Sequence, residues 1–322
     1  MKVTSWPASA ARASGTWVVR PQDLNYHQSI FGGRVMALVD DLASRLGSDI
    51  AGRPVVTVGL DLMTFEAGIR AFELIHLDAR VTRVFRTSME VMVLVQGMNP
   101  RTGETWRTST ATLTLVALGE DGRPTPIPQV IPETPEEKQL YETAARRREL
   151  RLSRPKEVEL DFRDHDPVSA AHLSFESTTE VCFPGVTNDL GVAKAGWLLS
   201  MGDVLAGLSA SRHAGTATVT AAVDAVDFPE PVQVGDIVEL RTYLTRAFRT
   251  SMEVRAEVWK RRTPASTPER VTTIYYTYVA VDRSGRPIPV PPLTPKTPLD
   301  QMLYESAGQR RQVRLASAQT FS

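Results

Sequence analysis

Apolar and polar residues alternate over four long stretches in the first half of the chain. The stretches are VVTVGLDLMTF, FELIHLDARVTRV, SMEVMVLVQG and WRTSTATLTLVAL, and they are rich in β-branched residues. An alternation with a period of two residues is typical of strands that bury one face. The pattern therefore predicts four or five long strands in this part of the chain.

The stretch before these strands has apolar residues at helical spacing. They are Val35, Leu38, Val39, Leu42 and Leu46. Gly47 follows as a predicted stop. The second half contains a matching stretch, WLLSMGDVLAGLSASR, which is apolar nearly all round, as in a helix enclosed by other structure. Each half is therefore predicted to be an α+β domain in which an antiparallel sheet is wrapped around one central helix.

Each half also ends in a predicted tail helix. Thr134 is a suitable N-cap, Pro135 a suitable first-turn residue, and the two glutamates that follow match the helix dipole. Thr297 and Pro298 begin the second copy. The predicted boundaries are a disordered N-terminus over residues 1–15, a first domain with its tail helix over 16–152, a linker over 153–176, and a second domain with its tail helix over 177–322.

The two halves are copies of one sequence. TRVFRTSMEV begins at Thr82, and TRAFRTSMEV begins at Thr245, which is 163 residues later. The same shift relates Pro21 to Pro184, Asn25 to Asn188, Gly33 to Gly196, Asp40 to Asp203 and Asp61 to Asp224. A period of this length corresponds to a whole domain and not to a small solenoid repeat. The chain is therefore predicted to hold two similar domains in tandem.

Charge and composition narrow the function classes. The chain has 37 basic and 37 acidic residues, a balance that argues against nucleic acid as the main partner. No stretch approaches the roughly 18 consecutive apolar residues that a membrane span needs, and the N-terminus lacks the apolar core of a secretory signal. The single cysteine, Cys182, excludes an internal disulfide and fits a reducing compartment, so the cytoplasm is the expected location.

Two features of the central helices indicate a catalytic site. Gly32 and Gly33 come just before the first helix, where glycines let a ligand carbonyl approach backbone N–H groups and the helix dipole adds positive potential. Such a site suits the oxyanion that forms when a carbonyl group is attacked. Asp203 lies two turns inside an apolar helix, where an acid is costly unless it is paired, protonated or facing a cavity.

These residues and their spacing resemble a known family. The series P…N…IFGGRVMALVDD…VTVGLD…F…VTRVFRTSMEV…DGRP is similar to the hotdog-fold acyl-CoA thioesterases, in particular tandem double-hotdog members such as cytosolic acyl-CoA hydrolases. In that family an Asn eight residues before the second Gly and an acid seven or eight residues after it form the catalytic pair. The resemblance implies that these positions are Asn25 and Asp40 in the first half and Asn188 and Asp203 in the second half.

The resemblance also implies that each site takes groups from both domains. One site would join Asn25, Gly32 and Gly33 to Asp203, with the two glycines as the oxyanion hole. The reciprocal site would join Asn188 and Gly196 to Asp40. In the second copy IFGG becomes VAKAG, so Ala195 replaces a glycine. Because its Cβ limits the approach of a thioester, we expect the site with Asp203 to be the better one.

The implied reaction is the hydrolysis of acyl-CoA to a carboxylic acid and CoA. The aspartate would activate water as a general base and the asparagine would orient that water or the carbonyl. Direct attack by the carboxylate is an alternative that the sequence leaves open. Cys182 is predicted to be buried, no G-x-S-x-G elbow is present, and the histidines lack metal-ligand spacing. No metal and no cofactor are therefore predicted, and CoA enters only as part of the substrate.

The repeated phrase has two interpretations. Its Arg-Thr-Ser parts, Arg86, Thr87 and Ser88 with Arg249, Thr250 and Ser251, offer a fixed charge and two hydroxyls to a CoA phosphate. Alternatively, the arginines cap a sheet edge and the phrase serves the architecture. We favour ligand contact, because a surface phrase of this kind has little packing reason to recur.

Two other functions and the assembly also follow from the resemblance. A hotdog hydratase or dehydratase would use a His with an acid on the central helix, and neither predicted helix segment contains a His. A non-catalytic acyl-CoA sensor is a second alternative, for which VAKAG is the best sequence support.

Family members commonly associate further, so the resemblance implies a homo-oligomer, namely a trimer of such double-hotdog chains.

Overall fold

Each half of the chain folds as an antiparallel sheet that wraps around one long helix. The computed structural model describes residues 4–153, 160–161, 163–164 and 166–320. The helices are α1 (Gly32–Ala51), α2 (Pro135–Leu152), α3 (Ala195–Ala214) and α4 (Pro298–Thr320). The strands are β1 (Ser5–Pro7), β2 (Arg12–Val18), β3 (Val55–Leu60), β4 (Met63–Thr64), β5 (Leu74–Val84), β6 (Ser88–Met98), β7 (Thr105–Ala117), β8 (Gln129–Ile131), β9 (Glu176–Val181), β10 (Thr218–Val223), β11 (Val226–Asp227), β12 (Ile237–Ala247), β13 (Ser251–Arg261) and β14 (Glu269–Ala280). The predicted fold class, two tandem hotdog domains, is confirmed.

The two sheets exchange strand segments. The first sheet has the order β11-β3-β7-β6-β5-β2 and the second has the order β4-β10-β14-β13-β12-β9. Thr64 pairs with Ala222 and Leu60 pairs with Val226, so one antiparallel register continues through the bend at Asp61. The sheets therefore join edge to edge, and α1 and α3 lie side by side against them. The sequence analysis did not predict this exchange.

Helix α1 continues past the predicted stop. A Cβ added to Gly47 would lie 2.6 Å from Cδ1 of Leu115 on the sheet, so this glycine permits a close approach of helix and sheet. The helix ends at Gly52, which has the left-handed φ of 63° that favours glycine. The predicted stop at Gly47 is therefore wrong, and Gly52 is the C-cap.

The N-terminal segment is also more ordered than predicted. β1 pairs in parallel with β8, and β2 pairs with β5 from Arg12 onwards. Ala11 is fully buried, and Trp6 packs against the core. The prediction of disorder is wrong for residues 4–15, because burial of these side chains and the strand pairing hold the segment in place. Residues 1–3 lie outside the described part of the chain.

Part of the predicted linker packs against the second sheet. Leu173 and Phe175 are buried, and the ring of Phe175 stacks on Tyr243 with centroids 6.5 Å apart and planes 4° apart. These contacts attach the end of the linker to the second domain. Residues 154–159, 162 and 165 of this segment lie outside the described part.

Both predicted tail helices are confirmed. α2 begins at Pro135, and its N-cap Thr134 accepts a hydrogen bond from the Glu137 amide at 3.2 Å. The Glu137 carboxylate in turn accepts one from the Thr134 amide at 3.0 Å, which completes a capping box. At α4 the Asp300 amide donates to the hydroxyl of Thr297 at 3.1 Å. Side chains therefore satisfy the free amides at both helix starts.

Candidate active sites

The central helix of the second half carries an aspartate that contacts the first turn of the other central helix. Oδ2 of Asp203 accepts a hydrogen bond from the Gly33 amide at 2.7 Å. Oδ1 accepts one from the Thr220 hydroxyl and one from the Tyr278 hydroxyl, each at 2.8 Å. We call the group of Asn25, Gly33, Asp203 and Thr220 site 1.

The same arrangement occurs with the halves exchanged. Oδ2 of Asp40 accepts a hydrogen bond from the Gly196 amide at 2.8 Å, and Oδ1 accepts one from the Thr57 hydroxyl at 2.6 Å. We call the group of Asn188, Gly196, Asp40 and Thr57 site 2. The structure thus brings each sequence-predicted aspartate into contact with the sequence-predicted glycine of the other half.

Burial changes the acidity of both aspartates. Asp203 is fully buried and Asp40 is 1 % exposed. Burial raises the pKa of Asp203 to about 6, although hydrogen bonds from Tyr278, Thr220 and Gly33 oppose the shift. Burial also raises the pKa of Asp40, opposed by its bonds from Thr57 and Gly196. A buried carboxylate with a raised pKa is suited to accept a proton near neutral pH.

Each predicted asparagine organises the loop before a central helix. Oδ1 of Asn25 accepts hydrogen bonds from the amides of His27 at 2.9 Å and Ser29 at 3.3 Å. Oδ1 of Asn188 accepts equivalent bonds from the amides two and four residues later. The Nδ2 group of Asn188 also donates to the Val55 carbonyl at 3.3 Å, on the strand that carries Thr57. In both loops the side-chain oxygen is committed to the backbone, so only the amide N–H groups can serve a reactant.

The glycines at the helix starts fit the neighbouring helix. A Cβ on Gly33 would lie 2.9 Å from Cα of Ser200, and a Cβ on Gly196 would lie 2.9 Å from Cα of Ala37. A Cβ on Gly32 would lie 3.0 Å from Oγ1 of Thr220. The glycines therefore allow the two central helices to approach closely. Since the Gly33 amide donates to Asp203, the oxyanion role of Gly32 and Gly33 remains a prediction.

The surroundings of site 2 are charged. A cavity of about 240 Å³ borders Asp40, Thr57 and Asn188. Four charged residues also line this cavity, namely Asp41, Arg45, Asp189 and Lys194. Nζ of Lys194 lies 2.9 Å from Oδ1 of Asp41, so an ion pair joins the two halves there. The cavity reaches a buried carboxylate and has cations at its edge.

The surroundings of site 1 are apolar at the equivalent positions. The shift of 163 residues relates Val204 to Asp41, Leu208 to Arg45, Tyr26 to Asp189 and Phe31 to Lys194. Tyr26 is 90 % exposed, Val204 57 % and Leu208 50 %. Four charged positions around site 2 thus correspond to four apolar positions around site 1. We call these two sets the mouths of site 2 and site 1.

The Arg-Thr-Ser parts of the repeated phrase lie at the turns β5–β6 and β12–β13. Arg86 and Arg249 are exposed, and neither guanidinium bonds to a side chain or backbone group within the described residues. The carbonyls of Thr87 and Thr250 each accept a backbone hydrogen bond at 3.1 Å. The threonine carbonyls therefore attach the turns to the neighbouring strands β7 and β14, while the two guanidinium groups remain available, and their contact with CoA stays a prediction.

The rest of the phrase holds the tail helix. The guanidinium of Arg83 lies 3.9 Å from the ring centroid of Tyr141 on α2 and donates to the Tyr141 carbonyl at 3.0 Å. The hydroxyl of Thr82 donates to the carboxylate of Glu90, which also accepts from Nε of Arg147 at 3.0 Å. Glu90 is 1 % exposed. A buried carboxylate and an arginine on the sheet thus fix α2 in place.

The second copy of the phrase makes equivalent contacts with α4. Arg246 lies 4.2 Å from the ring centroid of Tyr304 and donates to the Tyr304 carbonyl at 3.1 Å. Glu253 accepts from Nε of Arg310 at 3.2 Å and from Arg314 at 2.9 Å. The phrase therefore has a packing reason to recur, and our expectation to the contrary is wrong for these positions.

Two kinds of site residue were not predicted from the sequence. Thr57 and Thr220 lie 17 residues after the helix aspartates in their own halves, in the same register as the rest of the duplication. That recurrence was a usable signal. Tyr278 corresponds to Leu115 in the first half, so the comparison of the two copies offered no signal for it.

The second central helix contains a histidine that the sequence prediction had placed outside it. α3 extends to Ala214 and therefore includes His213 in its last turn. His213 lies ten residues after Asp203 along the helix, and its Nε2 is 2.8 Å from the carbonyl oxygen of Pro291. This His is not placed to work with the helix acid.

In the described residues no group of three or more His, Cys, Asp or Glu side chains is arranged to hold a metal ion. Over the same residues, no helix is long and apolar enough to span a membrane.

Comparisons with known proteins agree with this architecture. The family model described as the thioesterase superfamily matches twice, over residues 27–102 and 190–265. The acyl-CoA thioester hydrolase YkhA of Bacillus subtilis, itself called uncharacterized, is 40 % identical over 136 residues, which are 42 % of this chain and 79 % of that protein. The human cytosolic acyl coenzyme A thioester hydrolase is 25 % identical over 91 % of this chain and 80 % of its own length.

Some relatives are longer than this chain. The mouse acyl-coenzyme A thioesterase 11 is 28 % identical over 92 % of this chain, but the match spans only 52 % of that protein. Among solved structures, an acyl-ACP thioesterase from Bacteroides thetaiotaomicron aligns with a TM-score of 0.54 over 85 % of this chain and 100 % of its own, at 12 % identity. That likeness shows a shared fold.

Proposed function

This chain belongs to the thioesterase superfamily, alongside acyl-CoA thioester hydrolases, and we propose that it hydrolyses acyl-CoA to a carboxylic acid and CoA at site 1 and site 2. The observation that carries the proposal is the contact of Asp203 with the Gly33 amide, repeated by Asp40 and the Gly196 amide. It places a carboxylate of raised pKa beside a helix N-terminus that favours negative charge.

The aspartate is proposed to act as a general base. It takes a proton from a water molecule while the water oxygen attacks the thioester carbonyl carbon. The helix N-terminus stabilises the negative charge that develops on the carbonyl oxygen. When the tetrahedral intermediate collapses, the C–S bond breaks, and the CoA thiolate takes up the proton that the aspartate holds. The Asn25 or Asn188 amide N–H groups orient the water or the carbonyl.

Direct attack by the carboxylate is the alternative chemistry. It would form an anhydride between the aspartate and the acyl group, which water then hydrolyses. A single turnover in ¹⁸O-water puts the label into the carboxylic acid in the general-base course and also when water attacks the anhydride at its acyl carbon. Label in the aspartate carboxylate therefore identifies an anhydride that water attacks at the aspartyl carbon.

We propose that site 2 makes the larger contribution. The cavity of about 240 Å³ at Asp40 has room for a reactant, and its mouth offers the cations Arg45 and Lys194 to a phosphate-bearing substrate, with Lys194 paired to Asp41. This ranking is opposite to the one drawn from the glycine pattern. Ala195 at the start of α3 is compatible with it, because the Gly196 amide still reaches Asp40.

The CoA moiety is proposed to contact the Arg-Thr-Ser turns. Arg86 and Arg249 support this role because both are exposed and bind no other group in the described residues. A guanidinium bound to phosphate makes charge-assisted hydrogen bonds, which are about twice as strong as neutral ones. The neighbouring hydroxyls add neutral donors.

Association into a trimer of chains is also proposed. Exposed apolar side chains on the tail helices support it, among them Leu150 and Leu152 on α2 and Val313 and Leu315 on α4, which are between 56 % and 74 % exposed. Light scattering at micromolar concentration tests the assembly. A strict monomer would contradict it without affecting the contacts within one chain.

Release of free thiol from acyl-CoA tests the function directly. The parent is compared with the Asp40→Asn, Asp203→Asn double variant, over a series of acyl chain lengths. We expect turnover by the parent and its loss in the double variant, with unchanged folding by circular dichroism. Acyl-CoA binding without thiol release in the parent would instead support a sensor, and full turnover by the double variant would refute the two aspartates as catalytic groups.

A further inference from the structure

Tyr278 gives Asp203 a contact that Asp40 lacks. Its hydroxyl lies 2.8 Å from Oδ1 of Asp203 and 2.7 Å from the backbone carbonyl oxygen of the same residue. The equivalent residue in the first sheet is Leu115, which has no hydroxyl. The two copies of the site therefore differ in the number of donors that hold the catalytic carboxylate.

The sheet register explains why this hydroxyl reaches the aspartate. Tyr278 on β14 pairs directly with Thr220 on β10, as Leu115 on β7 pairs with Thr57 on β3. Directly opposed side chains lie on the same face of a sheet, so the tyrosine and threonine hydroxyls meet at one oxygen. Tyr278 is 1 % exposed, and its ring centroid lies 6.3 Å from that of the fully buried Tyr276. The surrounding core therefore fixes the position of the ring.

The donors divide unequally between the carboxylate oxygens. A carboxylate offers about four lone-pair directions, two at each oxygen. At Asp203, the hydroxyls of Tyr278 and Thr220 both lie at Oδ1, where Tyr278 shares its single hydrogen between Oδ1 and the Asp203 carbonyl oxygen, and the Gly33 amide occupies one direction at Oδ2. At Asp40, Thr57 is the donor at Oδ1, and the Gly196 amide is the donor at Oδ2. Tyr278 thus leaves Asp203 with a free direction at Oδ2.

We propose, resting on the function proposed above, that Tyr278 is a positioning residue of site 1, whose hydroxyl occupies Oδ1 of Asp203 and directs the attacking water to Oδ2, beside the Gly33 amide. Tyr278 acts through Asp203 and does not touch the substrate. The groups that face the carboxylate are the hydroxyls of Thr220 and Tyr278 and the amide of Gly33, and Tyr276 lies near it. Among the described residues, site 2 has no such tyrosine at Asp40, so either oxygen of Asp40 can serve as the base.

The effect is measured where site 1 works alone, in the Asp40→Asn background. Tyr278→Phe frees Oδ1 and removes a donor that stabilises the charged carboxylate. We expect kcat to fall by about tenfold with KM unchanged, because general-base catalysis depends on the position of the base. The acid limb of the pH–rate profile should move upward by about one pH unit, since a lost donor to the charged form raises the pKa of Asp203.

Tyr276→Phe is the matched control. It removes an equally buried hydroxyl from the same strand, one that donates to the Leu199 carbonyl at 2.9 Å and makes no bond to the Asp203 carboxylate. We expect this variant to lose stability without moving the pH–rate profile. An equal shift in both tyrosine variants, an unmoved profile in Tyr278→Phe, or a change in KM alone would overturn the proposal.

A second measurement does not depend on turnover. The ¹³C carboxyl resonance of Asp203, identified by its loss in Asp203→Asn, is titrated in the parent and in both tyrosine variants. The midpoint should rise in Tyr278→Phe and stay in Tyr276→Phe. If the parent releases no thiol from acyl-CoA, the proposed function fails, while an unshifted midpoint in Tyr278→Phe separately refutes the contact between Tyr278 and the carboxylate.

Discussion

Site 1 and site 2 share their inner residues and differ at their mouths. In both, a buried aspartate accepts one hydrogen bond from a threonine hydroxyl on a strand of its own half and one from a helix amide of the other half. Around site 2, Asp41, Arg45, Asp189 and Lys194 line a cavity, whereas their equivalents around site 1 are apolar. Duplication has preserved the groups proposed to handle the reacting atoms and has changed the groups that would meet the rest of the substrate.

The difference indicates where each part of the sequence is constrained. The aspartate, threonine and amide form one hydrogen-bonded set, and loss of a member would leave a buried polar group unpaired. A residue at the mouth has solvent as an alternative partner, so it can change at little cost in stability. Two sites in one chain can therefore share a reaction and favour different substrates.

The largest expected effect comes from the two aspartates. Asp40→Asn should remove most of the turnover and Asp203→Asn less, because a preformed cavity of about 240 Å³ borders Asp40. Loss of a general base lowers kcat by about 10²–10⁴-fold at the affected site. Thiol release gives the measurement, and Asp49→Asn on the exposed face of α1 is the control. A larger loss from Asp203→Asn would restore the ranking that the glycine pattern predicts.

A second effect concerns stability and its pH dependence. The pKa of Asp203 is raised to about 6 in the folded chain, so the folded state binds a proton more tightly than the unfolded state. Its contribution to the free energy of unfolding is complete below the unfolded pKa and is lost as the pH rises through about 6. The loss is on the order of 3 kcal/mol for a shift of this size.

Chemical denaturation between pH 4 and about pH 8 tests this effect in the parent and in Asp203→Asn. The parent should lose stability relative to the variant as the pH rises. Asp224, whose pKa burial raises to about 7, is present in both proteins and cancels in the difference. A difference that does not change with pH would show that Asp203 titrates at its ordinary value.

A third effect separates the two roles of the repeated phrase. Arg86→Ala and Arg249→Ala should raise KM for acyl-CoA with little change in kcat, by the equivalent of about 1.5–3 kcal/mol for a charge-assisted hydrogen bond. When each arginine variant is combined with Asp40→Asn or with Asp203→Asn, the change in KM also shows which turn serves which site. A short thioester without the nucleotide should be hydrolysed equally by parent and variants.

Arg83→Ala is the contrasting variant. It removes the contact with Tyr141 and should lower the thermal stability by loosening α2, without a selective change in KM. If Arg86→Ala instead lowers stability as Arg83→Ala does, and activity falls equally on the short and full substrates, then the whole phrase is architectural.

The smallest expected effect comes from exchanging the mouths. Lys194→Phe in the Asp203→Asn background should raise KM at site 2 by about threefold to tenfold, since an exposed charge contributes roughly 1 kcal/mol. Phe31→Lys in the Asp40→Asn background should lower KM at site 1. Both are measured with one acyl-CoA at two salt concentrations, and changes that do not weaken with salt would argue against a charge effect.

Much of the fold and part of the site could be predicted from the sequence. The helix, the strands and the aspartates follow from local spacing, and the duplication doubled every signal. The contacts of Gly33 with Asp203 and of Gly196 with Asp40 needed the family resemblance, because they join residues 170 and 156 positions apart. Thr57 and Thr220 could also have been predicted as site residues, since the shift of 163 residues relates one to the other.

Other features depend on packing that no local pattern reports. Tyr278 reads as an apolar strand residue, and its role depends on its pairing with Thr220 across two strands. Gly47 looks like a helix stop, yet it is required by the distance to Leu115 on the sheet. The exchange of β4 and β11 between the sheets follows from a long-range register that neither half contains alone.

The covalent connection of the halves has a consequence for which sites can exist. The edges that pair around Leu60 and Val226 belong to two copies of one sequence, so first halves on separate chains would present matching edges to each other. Such a homodimer would set Gly33 against Asp40, a combination that the tandem chain does not form. By fixing a one-to-one ratio and a high local concentration of unlike halves, the connection selects the mixed pair. The residues at one mouth can then change in sequence while those at the other mouth stay as they are.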